Sequence, residues 1–278
     1  VRVKSLCVLL LVGCSSPSPA RPRTFGGDRP TDLQVPTPFD DSKHYPLIVV
    51  LHGYGASGVV QEAVFGVAAL PKAGEAFVIA PDGNVDSMGH EFWNADPACC
   101  DYDMTHPDDV GYLGGLIDDI SAAWPVDRGA VYVMGHSNGA YMAYRLACDR
   151  ADVVTNIMPL AGAAVSDPTT CNPVAPVAVL HLHGTLDEDV PYSLAAPSVA
   201  QWATLDGCGT TQTPGPSLDL DTTIAGNETT TTAYDGCPEG IAVELWTIQG
   251  AGHIPNFDQP TFAPLILQYF RDHRRVIH

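Results

Sequence analysis

Unbroken apolar runs recur along this chain. Leu47-Ile-Val-Val-Leu51, Ala76-Phe-Val-Ile-Ala80, Ala130-Val-Tyr-Val-Met134 and Val177-Ala-Val-Leu-His-Leu182 hold almost no polar residue, the pattern of strands covered on both faces. Strands with one wet face would alternate instead. The pattern predicts an extended segment at 31–35 and strands at 46–51, 76–80, 130–134, near 154–160, 177–182 and 241–248. Apolar residues at helical spacing predict helices near 58–71, 109–123 and 138–149, near 193–205, and at 261–272. Strands that alternate with helices imply an α/β fold, a mostly parallel central sheet with helices on both faces. Residues 209–233 break the rhythm; rich in Thr, Pro, Gly and Asp, they read as a surface loop or a short hairpin.

At 278 residues the chain suits one large domain, placed at 31–278, and is too short for two of this kind. Ahead of it, Arg2 and Lys4 precede a short apolar core, Leu6 to Val12, and Leu11-Val-Gly-Cys14 has the form of a bacterial lipobox. Residues 1–13 therefore read as a signal peptide and Cys14 as a lipidated first residue of the mature protein; an ordinary cleaved signal is the competing reading. Residues 14–30, with Ser15-Ser-Pro-Ser-Pro-Ala-Arg-Pro-Arg23, read as a flexible tether, because proline and serine neither pack nor hold a helix. The expected location is outside the cytoplasm, anchored by that lipid in the periplasm or at the cell surface, or extracellular.

Chemistry enters at Gly135-His-Ser-Asn-Gly139, between a predicted strand and a predicted helix. A serine flanked two places away by glycines in that context is a nucleophile elbow, in which a tight turn lifts the hydroxyl of Ser137 out of the fold. An activated serine needs a base and a carboxylate behind the base. The loop His183-Gly-Thr-Leu-Asp-Glu-Asp189 follows one strand and Gly250-Ala-Gly-His253 follows the last. The order Ser, Asp, His is that of α/β-hydrolases. Asp187 is preferred to Asp189 as the acid because it lies nearer its strand end. The oxyanion donors are the N–H of Asn138, directly after the nucleophile, and the N–H of Tyr54 in the glycine-rich loop His52-Gly-Tyr-Gly-Ala56. The Tyr54 ring is a candidate wall of the acyl pocket, and His52 reads as a buried histidine that shapes the loop.

Six ordered segments carry a resemblance: Leu-His-Gly-Tyr-Gly-Ala-Ser at 51–57, Phe-Trp-Asn-Ala-Asp-Pro-Ala-Cys-Cys at 92–100, Asp-Asp-Val-Gly-Tyr-Leu at 108–113, the elbow and its helix at 135–148, His-Gly-Thr-Leu-Asp-Glu-Asp-Val-Pro-Tyr at 183–192 and Gly-Ala-Gly-His at 250–253. Together they resemble the secreted polyhydroxybutyrate depolymerase and feruloyl esterase group, from about Thr31 to the C-terminus. The resemblance implies an α/β-hydrolase fold, the triad Ser137, Asp187 and His253, and an activity without cofactor on hydroxycinnamoyl esters or on hydroxyalkanoate polyesters and their oligomers. Many relatives place a tryptophan after the triad histidine; Ile254-Pro255 stands here instead, so the acyl pocket should have its own shape.

The net charge of −19 argues against a nucleic-acid partner, which rewards clustered Lys and Arg. A monomer acting on a neutral ester, small or polymeric, is expected, with contact to a membrane only through the lipid. A serine peptidase and a non-catalytic surface binding protein on the same scaffold are the alternatives; no charged cluster announces a peptide-terminus pocket, and both serine and histidine are present. Of eight cysteines, Cys7 leaves with the signal and Cys14 takes the lipid; Cys99, Cys100, Cys148, Cys171, Cys208 and Cys237 form an even set, as an oxidising compartment favours. Cys208 and Cys237 bracket the irregular loop and are expected to pair. The adjacent Cys99 and Cys100 are each expected to reach out to Cys148 or Cys171. No paired C-x-x-C spacing suggests zinc, and no metal is expected. Asp108 and Asp109 read as helix N-cap residues, and Trp93 stands between pocket wall and core.

Overall fold

The computed structural model describes residues 20–97 and 99–276. The signal peptide, Cys14 and the first part of the tether lie outside them. A small antiparallel pair, β1 (Thr24–Phe25) and β2 (Thr31–Asp32), precedes the main body. Then follow β3 (Tyr45–Leu51), α1 (Gly58–Phe65), α2 (Ala69–Lys72), β4 (Phe77–Ile79), the small hairpin β5 (Asn84–Val85) and β6 (Glu91–Phe92), α3 (Asp109–Ala123), β7 (Val126–His136) and α4 (Asn138–Asp149). The second half runs β8 (Asn156–Leu160), β9 (Ala178–Gly184), α5 (Ala195–Leu205), β10 (Gln212–Pro214), β11 (Thr229–Tyr234), β12 (Val243–Ile248) and α6 (Gln259–Asp272).

Eight strands form the main sheet in the order β10-β11-β12-β9-β8-β7-β3-β4. The six from β12 to β4 are parallel, and β11 and β10 add an antiparallel edge. The period of two along a strand explains why these strands are apolar throughout. On β3, Leu47, Val49 and Leu51 enter one core with Leu113, Met142 and Trp202, whereas Ile48 and Val50 enter the core on the other face with Phe65, Leu70 and Phe262. No helix among the described residues is long and apolar enough to cross a membrane.

Four expectations change. Residues 58–71 form two helices rather than one, broken at Gly66, whose φ of +68° puts it in the left-handed region and whose missing Cβ leaves room for Gln259. Residues 209–233 follow the hairpin reading rather than the loop one, β10 pairing antiparallel with β11, and the pair goes beyond it by extending the main sheet, with Thr230 to Ala233 in register with Thr247 to Glu244. Residues 20–30 are packed on the domain rather than forming part of a flexible tether. The indole of Trp124 donates to the Pro22 carbonyl at 2.8 Å, and the Arg29 guanidinium reaches buried Asp109 at 2.8 Å while stacked 3.6 Å from the Tyr112 ring centre. The folded body thus begins by residue 20, not 31. Finally, Cys99 and Cys100 are bonded to each other, because Cys148 at the end of α4 and Cys171 face one another with their Cα atoms 5.1 Å apart and form their own bridge. Cys208 and Cys237 pair as expected.

Asp108 caps α3 by accepting the Gly111 N–H at 2.8 Å. Asp109 does something else. Its buried carboxylate accepts from the backbone of Asn94 and the side chain of Asn84 as well as from Arg29, and so ties the N-terminal segment, the β5–β6 hairpin and α3 together. Burial pushes its pKa up, against the pull of those donors and of Arg29.

Candidate active site

The C-terminal ends of four parallel strands converge on one edge of the sheet, where open α/β sheets hold their sites. The turn after β7 carries Ser137, with φ +53° and ψ −120°, a strained conformation for a residue with a Cβ. Only glycine fits on either side. A Cβ on Gly135 would sit 2.1 Å from the Gly139 carbonyl oxygen, and one on Gly139 would sit 2.3 Å from that of Leu51. Helix α4 starts at Asn138, so the first N–H groups of that helix rim the turn.

The loop after β9 supplies Asp187 and the loop after β12 supplies His253. The two loops are joined by backbone bonds, Thr185 N–H to Ile248 O at 3.1 Å and Leu186 N–H to Ala251 O at 2.9 Å. His253 Nδ1 lies 3.0 and 2.9 Å from the two carboxylate oxygens of Asp187. That carboxylate has no exposed side-chain surface, and Oδ1 also accepts the N–H groups of Asp189 at 3.0 Å and Val190 at 2.8 Å. Asp189 itself is exposed on the cavity.

Ser137 and His253 line one cavity of about 460 Å³, walled by Tyr54, Val60, Val64, Tyr102, the Cys99–Cys100 bridge and Ile254. Tyr54 is aimed by its hydroxyl, which donates to Asp86 and lies 3.0 Å from His90 Nδ1; the bond to Asp86 pushes the phenol up to about 12. Asp86 is held below the usual carboxylate range chiefly by that same bond. The loop of Tyr54 passes close to Ser137, a Cβ on Gly53 being only 3.3 Å from that of Ser137.

Trp93 corrects an expectation. It is fully buried, its indole donates to the His52 carbonyl at 3.1 Å, and it belongs to the core rather than to the cavity wall. The side chain of Asn138 clamps the Trp93 backbone at both ends, accepting its N–H at 2.7 Å and donating to its carbonyl at 2.9 Å. His52 is buried, with Nδ1 donating to Gly53 O at 2.8 Å and Nε2 accepting from Gly83 N–H at 2.9 Å, which fits a role in shaping the loop.

Sequence reasoning did not single out His136, which precedes Ser137 and stands against His253. Its Nε2 donates to the His253 carbonyl at 2.9 Å and the two rings lie 4.7 Å apart. Burial, helped by repulsion from His253, brings its pKa down to about 4, so it is neutral near pH 7. The spacing of Val60 and Val64, one helical turn apart on α1, was a readable sign of a shared face. Two side-chain groups have metal-ligand proximity, His52 with Asp82 and Glu91, and Asp187 with Asp189 and His253. In both, the imidazole nitrogen concerned already has a protein partner, the Gly83 N–H in the first and the Asp187 carboxylate in the second.

Fold and site together define an α/β-hydrolase. The chain belongs to the phospholipase/carboxylesterase family, which it matches over residues 37–208. It is 28% identical over 242 residues to feruloyl esterase B of Piromyces equi, covering 80% of this chain and 42% of that protein, so it spans less than half of that relative's length. It is 24% identical over 260 residues to feruloyl esterase D of Neurospora crassa, covering 86% and 80%. Among solved structures, an acetyl xylan esterase from Aspergillus awamori superposes with a TM-score of 0.64 at 14% identity, over 87% of this chain and 94% of that one, a likeness of fold.

Proposed function

We propose that this protein is a serine carboxylic-ester hydrolase working through an acyl-enzyme, on feruloyl-type esters or on hydroxyalkanoate polyesters and their oligomers. The observation that carries the reading is the convergence of a strained Ser137 and a carboxylate-backed His253 on one cavity. Ser137 Oγ attacks the ester carbonyl as His253 Nε2 takes its proton. Asp187, bonded to Nδ1, fixes the tautomer and stabilises the imidazolium. The N–H groups of Tyr54 and Asn138 hold the oxyanion. His253 then protonates the departing alcohol, and water releases the acid by the same steps in reverse. The apolar and aromatic wall of Tyr54, Tyr102, Val60, Val64 and Ile254 suits a hydrophobic acyl group. The same reading takes Cys14 as a lipid anchor and the protein as a monomer that needs no cofactor.

Turnover of p-nitrophenyl acetate tests the chemistry: Ser137→Ala should lose at least roughly a thousandfold in kcat/KM. Retained turnover would remove Ser137 from its role. Methyl ferulate and short hydroxybutyrate oligomers, assayed side by side, separate the two substrate classes.

A further inference from the structure

A hydrogen-bonded chain runs from the core to the Val190 carbonyl and ends beside the triad carboxylate. Tyr144 on α4, His181 and His183 on β9 are all fully buried. The Tyr144 hydroxyl lies 2.7 Å from His181 Nδ1, His181 Nε2 lies 3.1 Å from His183 Nδ1, and His183 Nε2 lies 3.0 Å from the Val190 carbonyl and 3.2 Å from Asp187 Oδ2.

The directions of these bonds are forced. A carbonyl oxygen only accepts, so His183 carries its proton on Nε2 and its Nδ1 is an acceptor. His181 must then donate from Nε2, which leaves its Nδ1 to accept from Tyr144. Every proton in the chain points toward Asp187. The assignment requires neutral rings, and burial lowers the pKa of both histidines. Bonds aligned head to tail in a dry interior polarise one another.

We propose that His183 is a positioning residue of the triad, and that Tyr144 and His181 lock the tautomer in which it donates to Asp187. This rests on the esterase reading above. The backbone N–H groups of Asp189 and Val190 hold Oδ1, and Oδ2 has His183 Nε2 at 3.2 Å as well as His253 Nδ1 at 2.9 Å. By standing beside that oxygen, His183 fixes where the Asp187 carboxylate meets His253. The ionisable groups facing this junction are Asp187, Asp189 and His253 on the loops, His136 at the end of β7, and Tyr192, whose ring stands edge-on 5.7 Å from that of His183 and whose hydroxyl bonds Thr247.

Nitrogen NMR of histidine-labelled protein reads the tautomers without any assay of activity: Nε2–H at both His181 and His183 is expected, and Nδ1–H at His183 overturns the proposal. In kinetics, His183→Leu should lower kcat about tenfold, the scale of losing one bond to a charged group, with KM within about twofold. His183→Gln, which keeps an N–H near the Nε2 position, should recover most of the lost kcat. Tyr144→Phe, a one-atom change, should lower kcat in the same way by less, and decides the matter if His183→Leu does not fold. A folded His183→Leu with wild-type kcat overturns the proposal. So does a fall in kcat with no recovery in His183→Gln, the mark of a purely structural role. If the wild type cleaves no ester, the functional reading falls, and the nitrogen spectra still decide whether the proton chain exists.

Discussion

Acid should destabilise this protein through His136 in a way that can be isolated. Unfolded, the ring titrates near 6.5; folded, burial and the neighbouring His253 bring it down to about 4. Its folded pKa is depressed, so its contribution is complete above the unfolded value and is lost as pH falls toward the folded one, because between the two only the unfolded chain takes up the proton. Linkage gives a loss of about 2 kcal/mol between pH 7 and 5, and of about 3 kcal/mol by pH 4. His136→Gln keeps an N–H that can reach the His253 carbonyl but removes the titration. Urea unfolding of both proteins at pH 7, 6, 5 and 4 is the assay. The quantity to follow is the difference between wild type and variant, in which the protein's other titrations largely cancel. The wild type should lose its advantage, or fall further behind, by about 3 kcal/mol across the series. A difference that stays constant within about 0.5 kcal/mol from pH 7 to 4 would refute the argument, since it would mean that His136 binds its proton equally well in both states.

Two further outcomes are expected. Replacing Cys208 and Cys237 together by serine opens a bridge between residues 29 apart and should cost about 3.5 kcal/mol, read by urea unfolding; a loss under about 1 kcal/mol would mean that the β10–β11 edge confines the chain without it. Cys14→Ser, expressed in a bacterium that processes lipoproteins, should move the protein from the membrane fraction to the soluble one, and an unchanged distribution would reject the anchor.

Much of the fold was legible because parallel strands buried on both faces write long apolar runs, and 109–123 and 138–149 coincide with α3 and α4. The candidate triad was legible for a related reason: its members sit at strand ends, next to glycines that a tight turn requires. What stayed hidden depends on contacts between distant segments. Residues 209–233 look like loop because β10 and β11 lie at the sheet edge and expose polar residues. Trp93 was undecided between wall and core because its place is set by Asn138 and His52, more than 40 residues away from it in each direction. The run before Thr31 looks unstructured by composition, yet Arg29 meets the buried carboxylate of Asp109 and the Trp124 indole holds Pro22, contacts with residues far along the chain. Cys99 and Cys100 could not be assigned while the encounter of Cys148 with Cys171 was unknown.

That docking has a consequence for reach. If Cys14 is acylated, the six-residue step from 14 to 20 sets an upper bound of about 20 Å on the distance between lipid and folded body. An esterase anchored in that way would not range across a distant solid polymer. It would suit esters small enough to diffuse to the cell, such as fragments released from a larger material elsewhere.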